Sequence, residues 1–306
     1  MNFVILGAGA VGGFVGSKLQ RSGNDVAFLV RQKRYDQLAN EGLRMKSGGE
    51  DIRLHVNAIT DVSEVNDCDV LILAVKNFSL SGVIESIRVL SSNGASVVSF
   101  LNGIEQMERI REVVPDEQIT GGVMHLQADF DGEKIVQQGL EPSIILGSPS
   151  RKREIIIQSM ADVFASAGLK TSVSDNILVD LWKKYIFITI LSSLTAVCRA
   201  PIGAILRNQA TYSLFEEICS EVVIVGKSLC PEILSLPLMH FLDQIKNLPG
   251  TMTASMARDT ERGLPTEVEY IQGYLIRKAR ELGLSVPATT FCYRILKLRE
   301  KGSVAA

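Results

Sequence analysis

The stretch that most restricts the fold is "NFVILGAGAVGGFVGSKLQRSG", residues 2–23. "NFVIL" is a short apolar run suited to a buried strand, and "GFVGSKLQRSG" reads as the helix that follows it. Between them Gly7, Ala8, Gly9, Ala10, Val11 and Gly12 satisfy the spacing G-x-G-x-x-G. Placed there, the glycines open a βαβ unit and acquire a mechanism that the bare spacing lacks. Gly7 permits the tight turn, Gly9 lets backbone approach a pyrophosphate, and Gly12 allows close helix–strand packing. The helix N-terminus then faces the phosphate charge.

Alternation of strands and helices continues through the first half. Candidate strands cover residues 25–30, 69–76, 95–102, 119–127 and 143–147, with "DFDGEK" as a turn between the last two. From about Ser150 the pattern becomes helical and stays so. The segment "LKTSVSDN", residues 169–176, reads as a last strand and a linker, in which Ser174 or Asp175 can cap the next helix. The expected architecture is α/β: a Rossmann-type parallel sheet over residues 1–172, then an all-helical domain over 173–306. No internal repeat interrupts this order.

Composition removes several function classes. Hydrophobic residues at 46% and charged ones at 22% describe an ordinary soluble protein. A net charge of -2 argues against a nucleic-acid binder, which shows a basic surplus. The start has no basic leader, and glycines interrupt its apolar run, unlike a signal peptide. The most apolar helix, "LWKKYIFITILSSLTA", has an uncharged core short of the roughly 20 residues a membrane span requires. The five cysteines are scattered without a C-x-x-C pair, a usage that suits a reducing cytoplasm. His55, His125 and His240 are too dispersed for zinc spacing, so no metal is expected.

Arg31 follows the second strand, where an NAD-preferring site would place an acid for the ribose 2′-hydroxyl. "RQKR" supplies Arg31, Lys33 and Arg34 instead, and a guanidinium can grip a 2′-phosphate that a carboxylate would repel. NADP(H) is the expected cofactor. Ligands in open α/β sheets lie beyond the carboxyl ends of the strands. Lys76 in "LAVKN" and Asn102 in "FLNG" both stand at such ends. His125 and Gln127 occupy a similar place, and the sequence leaves their contact with the cofactor open.

The helix from Leu181 to Ala196 is apolar on every side yet carries Lys183 and Lys184, and an all-round apolar helix is normally buried. A surface Asp180–Lys184 pair would explain the charge without function. A keto reduction explains it otherwise: the carbonyl oxygen gains charge as hydride arrives, and a partly desolvated ammonium can supply the proton.

"GAGAVG", "AVKN", "LNG", "LWKK" followed by "LTA", and "SMARDTERGLPTEVEYIQG" occur together and in that order. The set resembles the ketopantoate reductase (2-dehydropantoate 2-reductase) family along essentially the whole chain. The resemblance implies a Rossmann domain for NADPH, a helical domain covering it, and a small 2-oxo acid as substrate. It implies Lys184 as proton donor, Lys76 and Asn102 at cofactor and substrate, Ser255 holding substrate, and Glu267 near the cofactor. A homodimer is also open.

The pattern departs from the family where asparagines would hold the keto acid. Ile188, Ser192, Ile202 and Met252 stand there instead, and each aliphatic replacement removes an amide that both donates and accepts. Three readings follow: ketopantoate reduction toward pantothenate and coenzyme A, reduction of a more apolar 2-oxo acid or ketone, or a non-catalytic NADPH sensor. Retention of a proton donor speaks against the last.

Overall fold

The chain divides into two compact units, one made of Met1–Leu101 with Gln106–Asp180, the other of Asn102–Glu105 with Leu181 onward. The computed structural model describes residues 1–139, 141–150 and 154–300. The change of unit falls inside a helix, after Asp180, and so lies beyond the strand Lys170–Val173 and the linker before Ile177.

In the first unit the strands are β1 (Asn2–Leu6), β2 (Asp25–Leu29), β3 (Leu43–Ser47), β4 (Glu50–Leu54), β5 (Asn57–Ile59) and β6 (Val70–Leu73). They are followed by β7 (Ser96–Ser99), β8 (Ile119–His125), β9 (Ala128–Phe130), β10 (Ile135–Gln137), β11 (Ser143–Gly147) and β12 (Lys170–Val173). The larger sheet has the order β12-β11-β8-β7-β6-β1-β2-β5. Every neighbouring pair in it is parallel except β8 with β11. Those two are joined by the short β9–β10 excursion instead of a crossover helix, and such a return pairs antiparallel. The sheet is therefore parallel-rich rather than wholly parallel. β6 and β7 are buried along their whole length, as expected for strands covered on both faces.

A second sheet, of order β4-β3-β10-β9, was not foreseen. Its hairpin signal is present in the sequence: "LRMKS" and "EDIRL" flank Gly48 and Gly49, both at positive φ. Leu43 and Met45 point into the core while Arg44 and Lys46 face water. This sheet packs on the helix α1 (Ala10–Arg21), where a β-carbon on Gly13 would strike Ile135 and meet Leu43 at 3.3 Å.

Among its described residues the second unit contains helices and no strand. The longest, Ile177–Cys198, begins in the first unit and carries the lysine pair. Trp182, Tyr185, Ile186, Ile190 and Leu194 bury most of its circumference. Thr189 and Thr195 are buried too, and their hydroxyls donate back to the carbonyls of Tyr185 and Leu191, each at 2.7 Å. At the helix entrance the backbone N–H of Asn176 donates to Ser174 Oγ at 3.1 Å.

Candidate functional site

The glycine turn is shaped by what each missing side chain would meet. Gly7 takes φ 99°, and a β-carbon there would lie 3.0 Å from the Ala74 carbonyl oxygen. On Gly12 it would collide with the Gly7 carbonyl oxygen and stand 2.9 Å from Ala74 Cβ. On Gly9 it would meet nothing within 4 Å. The first and third glycines are thus required by the protein's own packing, while the second borders open space at the start of α1. Ala8 is buried and Ala10 and Val11 are half-buried, Ala10 beginning the helix. A backbone cradle with one open face at a helix N-terminus fits a dinucleotide pyrophosphate.

The three cations of "RQKR" separate in the structure. Arg34 braces the turn: its Nε and Nη2 donate to the Ala8 carbonyl at 3.1 and 2.9 Å, with the guanidinium 4.4 Å from the Phe130 ring centre. Burial lowers its pKa from the ordinary arginine value, with Glu41 opposing. Arg31 is exposed, and its Nη2 donates to Ser79 Oγ at 3.3 Å. Lys33 is exposed on the next helix. Lys76 is half-buried where its strand gives way to a 3-10 turn, Asn77–Val83. His125 ends β8 in an exposed position, and half-buried Gln127 accepts the Gln138 N–H at 2.8 Å through its carbonyl.

In the helical unit Lys184 is half-buried, and desolvation lowers its pKa to about 8. The opposing charge is Glu267, a buried carboxylate of the same unit, which pulls the value back upward. Asp180 accepts a hydrogen bond from Ser174 Oγ at 2.5 Å. The charge that acts on Lys184 is therefore that of a distant segment, not of the helical neighbour at i-4.

Asn102 belongs to this unit as well, half-buried beside Gly103 at φ 98°. Ser255 is exposed as the first residue of a short helix, Ser255–Glu261. Ile188 lies one turn from Lys184 and is half-buried like it. Ser192 does not share that setting. It is 1% exposed, and its hydroxyl accepts from Gln272 Nε2 at 2.7 Å. Ile202 is fully buried, donating its N–H to the half-buried Met252's carbonyl at 3.0 Å. Of the four positions read as pocket-lining, Ser192 and Ile202 are thus turned into the helical core.

Sequence reasoning missed the residues that hold this arrangement. Tyr185, next to Lys184, donates its hydroxyl to the Ile271 carbonyl at 2.7 Å, and burial raises its pKa. Gln272 reaches Ser193 as well as Ser192, at 3.0 Å. Ile271 and Gln272 both sit in a π-helical turn, Glu269–Gly273. A polar pair in "EYIQG" is the faint local signal for it. Among the described residues no helix is long and apolar enough to cross a membrane.

Comparison with known proteins adds the lineage. Residues 3–151 match the family model described as ketopantoate reductase PanE/ApbA, and residues 176–300 match that of its C-terminal part. The chain is 32% identical over 305 residues to the uncharacterized oxidoreductase YkpB of Bacillus subtilis (strain 168), covering 98% of this chain and 99% of that one. It is 29% identical to a 2-dehydropantoate 2-reductase of Nostoc sp., covering 96% and 94% respectively. Among solved structures, D-mandelate dehydrogenase with NADH and anilino(oxo)acetate superposes with a TM-score of 0.90 at 24% identity, covering 99% of each chain.

Proposed function

This chain belongs to the ketopantoate reductase PanE/ApbA family of oxidoreductases, and from that premise we propose that it reduces a 2-oxo acid to the 2-hydroxy acid with NADPH. The first candidate reaction is 2-dehydropantoate to pantoate, in the cytoplasm. The observation that carries the reading is Lys184, an ammonium on a buried helix, desolvated and within the electrostatic influence of the buried carboxylate of Glu267.

Reduced nicotinamide, when bound, supplies hydride to the carbonyl carbon. Gly7 to Gly12 would hold the pyrophosphate by backbone, Arg31 would grip the 2′-phosphate, and Lys76 would lie at the cofactor's edge. Lys184 Nζ gives its proton to the carbonyl oxygen as charge gathers there. Its lowered pKa, about 8, makes that transfer easier near neutrality while keeping most of the population protonated. Glu267 keeps the ammonium charged, Asn102 orients the oxo group, and Ser255 holds the carboxylate end. A sensor that only binds NADPH has no use for a desolvated proton donor.

One observation favours a more apolar 2-oxo acid over 2-dehydropantoate. Ile188 shares the half-buried setting of Lys184, and it cannot hydrogen-bond a substrate hydroxyl. Leaving a polar group unpaired costs roughly 1–3 kcal/mol. NADPH oxidation should be followed with 2-dehydropantoate beside aliphatic and aromatic 2-oxo acids. We expect turnover of at least one, with the apolar acids showing the lower KM, and Ile188→Asn should shift preference toward 2-dehydropantoate. NADPH binding without reduction of any acid in the set would refute the enzymatic reading in favour of the sensor.

A further inference from the structure

Arg277 lies outside every motif discussed so far, yet it joins two carboxylates and acts electrostatically on Tyr185, the residue after Lys184. Its Nη2 donates to Glu105 Oε2 at 2.8 Å and its Nη1 to Glu269 Oε1 at 2.6 Å. Glu105 closes the short segment Asn102–Glu105 that belongs to the helical unit. Glu269 opens the π-helical turn and stands two residues after Glu267. One guanidinium therefore fixes the spacing between the segment that carries Asn102 and the segment that carries Glu267.

Four further hydrogen bonds argue that this spacing matters to the lysine. Tyr185, adjacent to Lys184, donates to the Ile271 carbonyl inside the π turn, and Glu105 and Arg277 both act electrostatically on its phenol. Gln272, in the same turn, holds Ser192 and Ser193 on the lysine helix. Glu269 is gripped from its other side by the Tyr293 hydroxyl at 2.7 Å. Gly273 leaves the room this requires, since a β-carbon there would lie 2.8 Å from Glu269 Oε1 and 3.3 Å from Arg277 Nη1. A planar two-pronged cation suits a bridge between two carboxylates, which a lysine can reproduce only in part.

We propose that Arg277 is a positioning residue of the reductase: by bridging Glu105 and Glu269 it holds Asn102 and Glu267 in register with Lys184. The inference rests on the proposed reductase function. A displacement of about 1 Å at reacting groups is enough to cost about 100-fold in rate. Arg277 belongs to the helical unit, whereas the glycine turn and Arg31 belong to the first, so cofactor affinity should not depend on it.

The test uses the full-length protein and four variants: Arg277→Met, Arg277→Lys, Glu105→Gln and the double variant Arg277→Met/Glu105→Gln. The assay takes whichever 2-oxo acid the wild type reduces fastest, with NADPH affinity and Tm measured alongside. The expected result is a kcat lowered about 10- to 100-fold in Arg277→Met, with NADPH affinity unchanged. Arg277→Lys should recover part of the loss, and the double variant should be no worse than Arg277→Met alone, since both changes break one bridge. A staple that serves stability alone would lower Tm and leave kcat per folded molecule as in wild type, in Arg277→Met and in the milder Glu105→Gln alike. That outcome overturns the inference while leaving the proposed function intact. A wild type that reduces no 2-oxo acid overturns both.

Discussion

The glycine turn and the lysine site are built by opposite means. The turn is a run of consecutive residues whose shape follows from missing side chains: Gly7 and Gly12 answer to atoms close in the fold, and Gly9 to open space. The lysine's setting depends on residues far apart in sequence, since the charge that acts on Lys184 is that of Glu267. Backbone positions the first and desolvation tunes the second. A substitution should therefore damage the turn through sterics and the lysine site through charge.

The largest effect is expected at the lysine pair. Lys184→Ala should lower kcat by a factor of about 100 or more, the usual scale of general acid catalysis, while Lys183→Ala does far less. Steady-state kinetics showing equal losses would collapse the distinction between the two lysines. The same side chain should also weaken the fold. Its folded pKa of about 8 lies below the ordinary 10.5, so the folded state holds this proton less tightly than the unfolded chain does. Stability should rise as pH climbs from about 8 toward 10.5, and Lys184→Met should raise Tm at neutral pH even as it removes turnover. A Tm that falls on that substitution would show that the ammonium is well solvated or better paired than its surroundings indicate.

At the cofactor end the expected effects are smaller and of another kind. Arg31→Glu should narrow or reverse a preference for NADPH over NADH, by about tenfold for each charge-assisted bond lost. Equal calorimetric affinities for the two cofactors in the unmutated protein would remove the basis for that assignment. The glycines then separate packing from ligand. Gly12→Ala meets backbone and should cost about 1–3 kcal/mol of stability. Gly9→Ala meets no protein atom, so its Tm should stay near wild type while NADPH affinity falls. Parallel changes in the two variants would erase the difference between a packed and a ligand-facing glycine.

How much could be read in advance follows the same division. The turn, its strand and its helix were legible because glycine spacing and apolar runs are local signals. Lys184 stood out because a charge on an all-round apolar helix is anomalous wherever its partner lies. Its charge partner was not legible: the resemblance put Glu267 near the cofactor, the helix offered Asp180, and nothing local ties Glu267 to Lys184. The second sheet was missed although Gly48 and Gly49 mark its hairpin, because charged Arg44, Lys46 and Arg53 weaken the strand pattern. The antiparallel pairing of β8 with β11 depends on the connection between them, which strand composition does not encode. Ser192 looked like pocket and lies in the core because Gln272 claims its hydroxyl, a contact spanning much of the helical unit. Arg34 looked like part of a cofactor-facing basic cluster, yet it spends two donors on the Ala8 carbonyl.

The pH dependence of kcat/KM for 2-oxo acid reduction, in wild type and in Lys184→Ala, tests the central claim most directly. Only the ammonium form of Lys184 can give a proton, and burial brings its pKa to about 8. The wild-type value should hold steady below that pH and fall about tenfold per unit above it. Lys184→Ala should be slow throughout and lack that break. A wild-type profile that stays flat from about pH 7 to pH 10, or a break near 8 that survives in Lys184→Ala, would contradict the assignment of Lys184 as the proton donor.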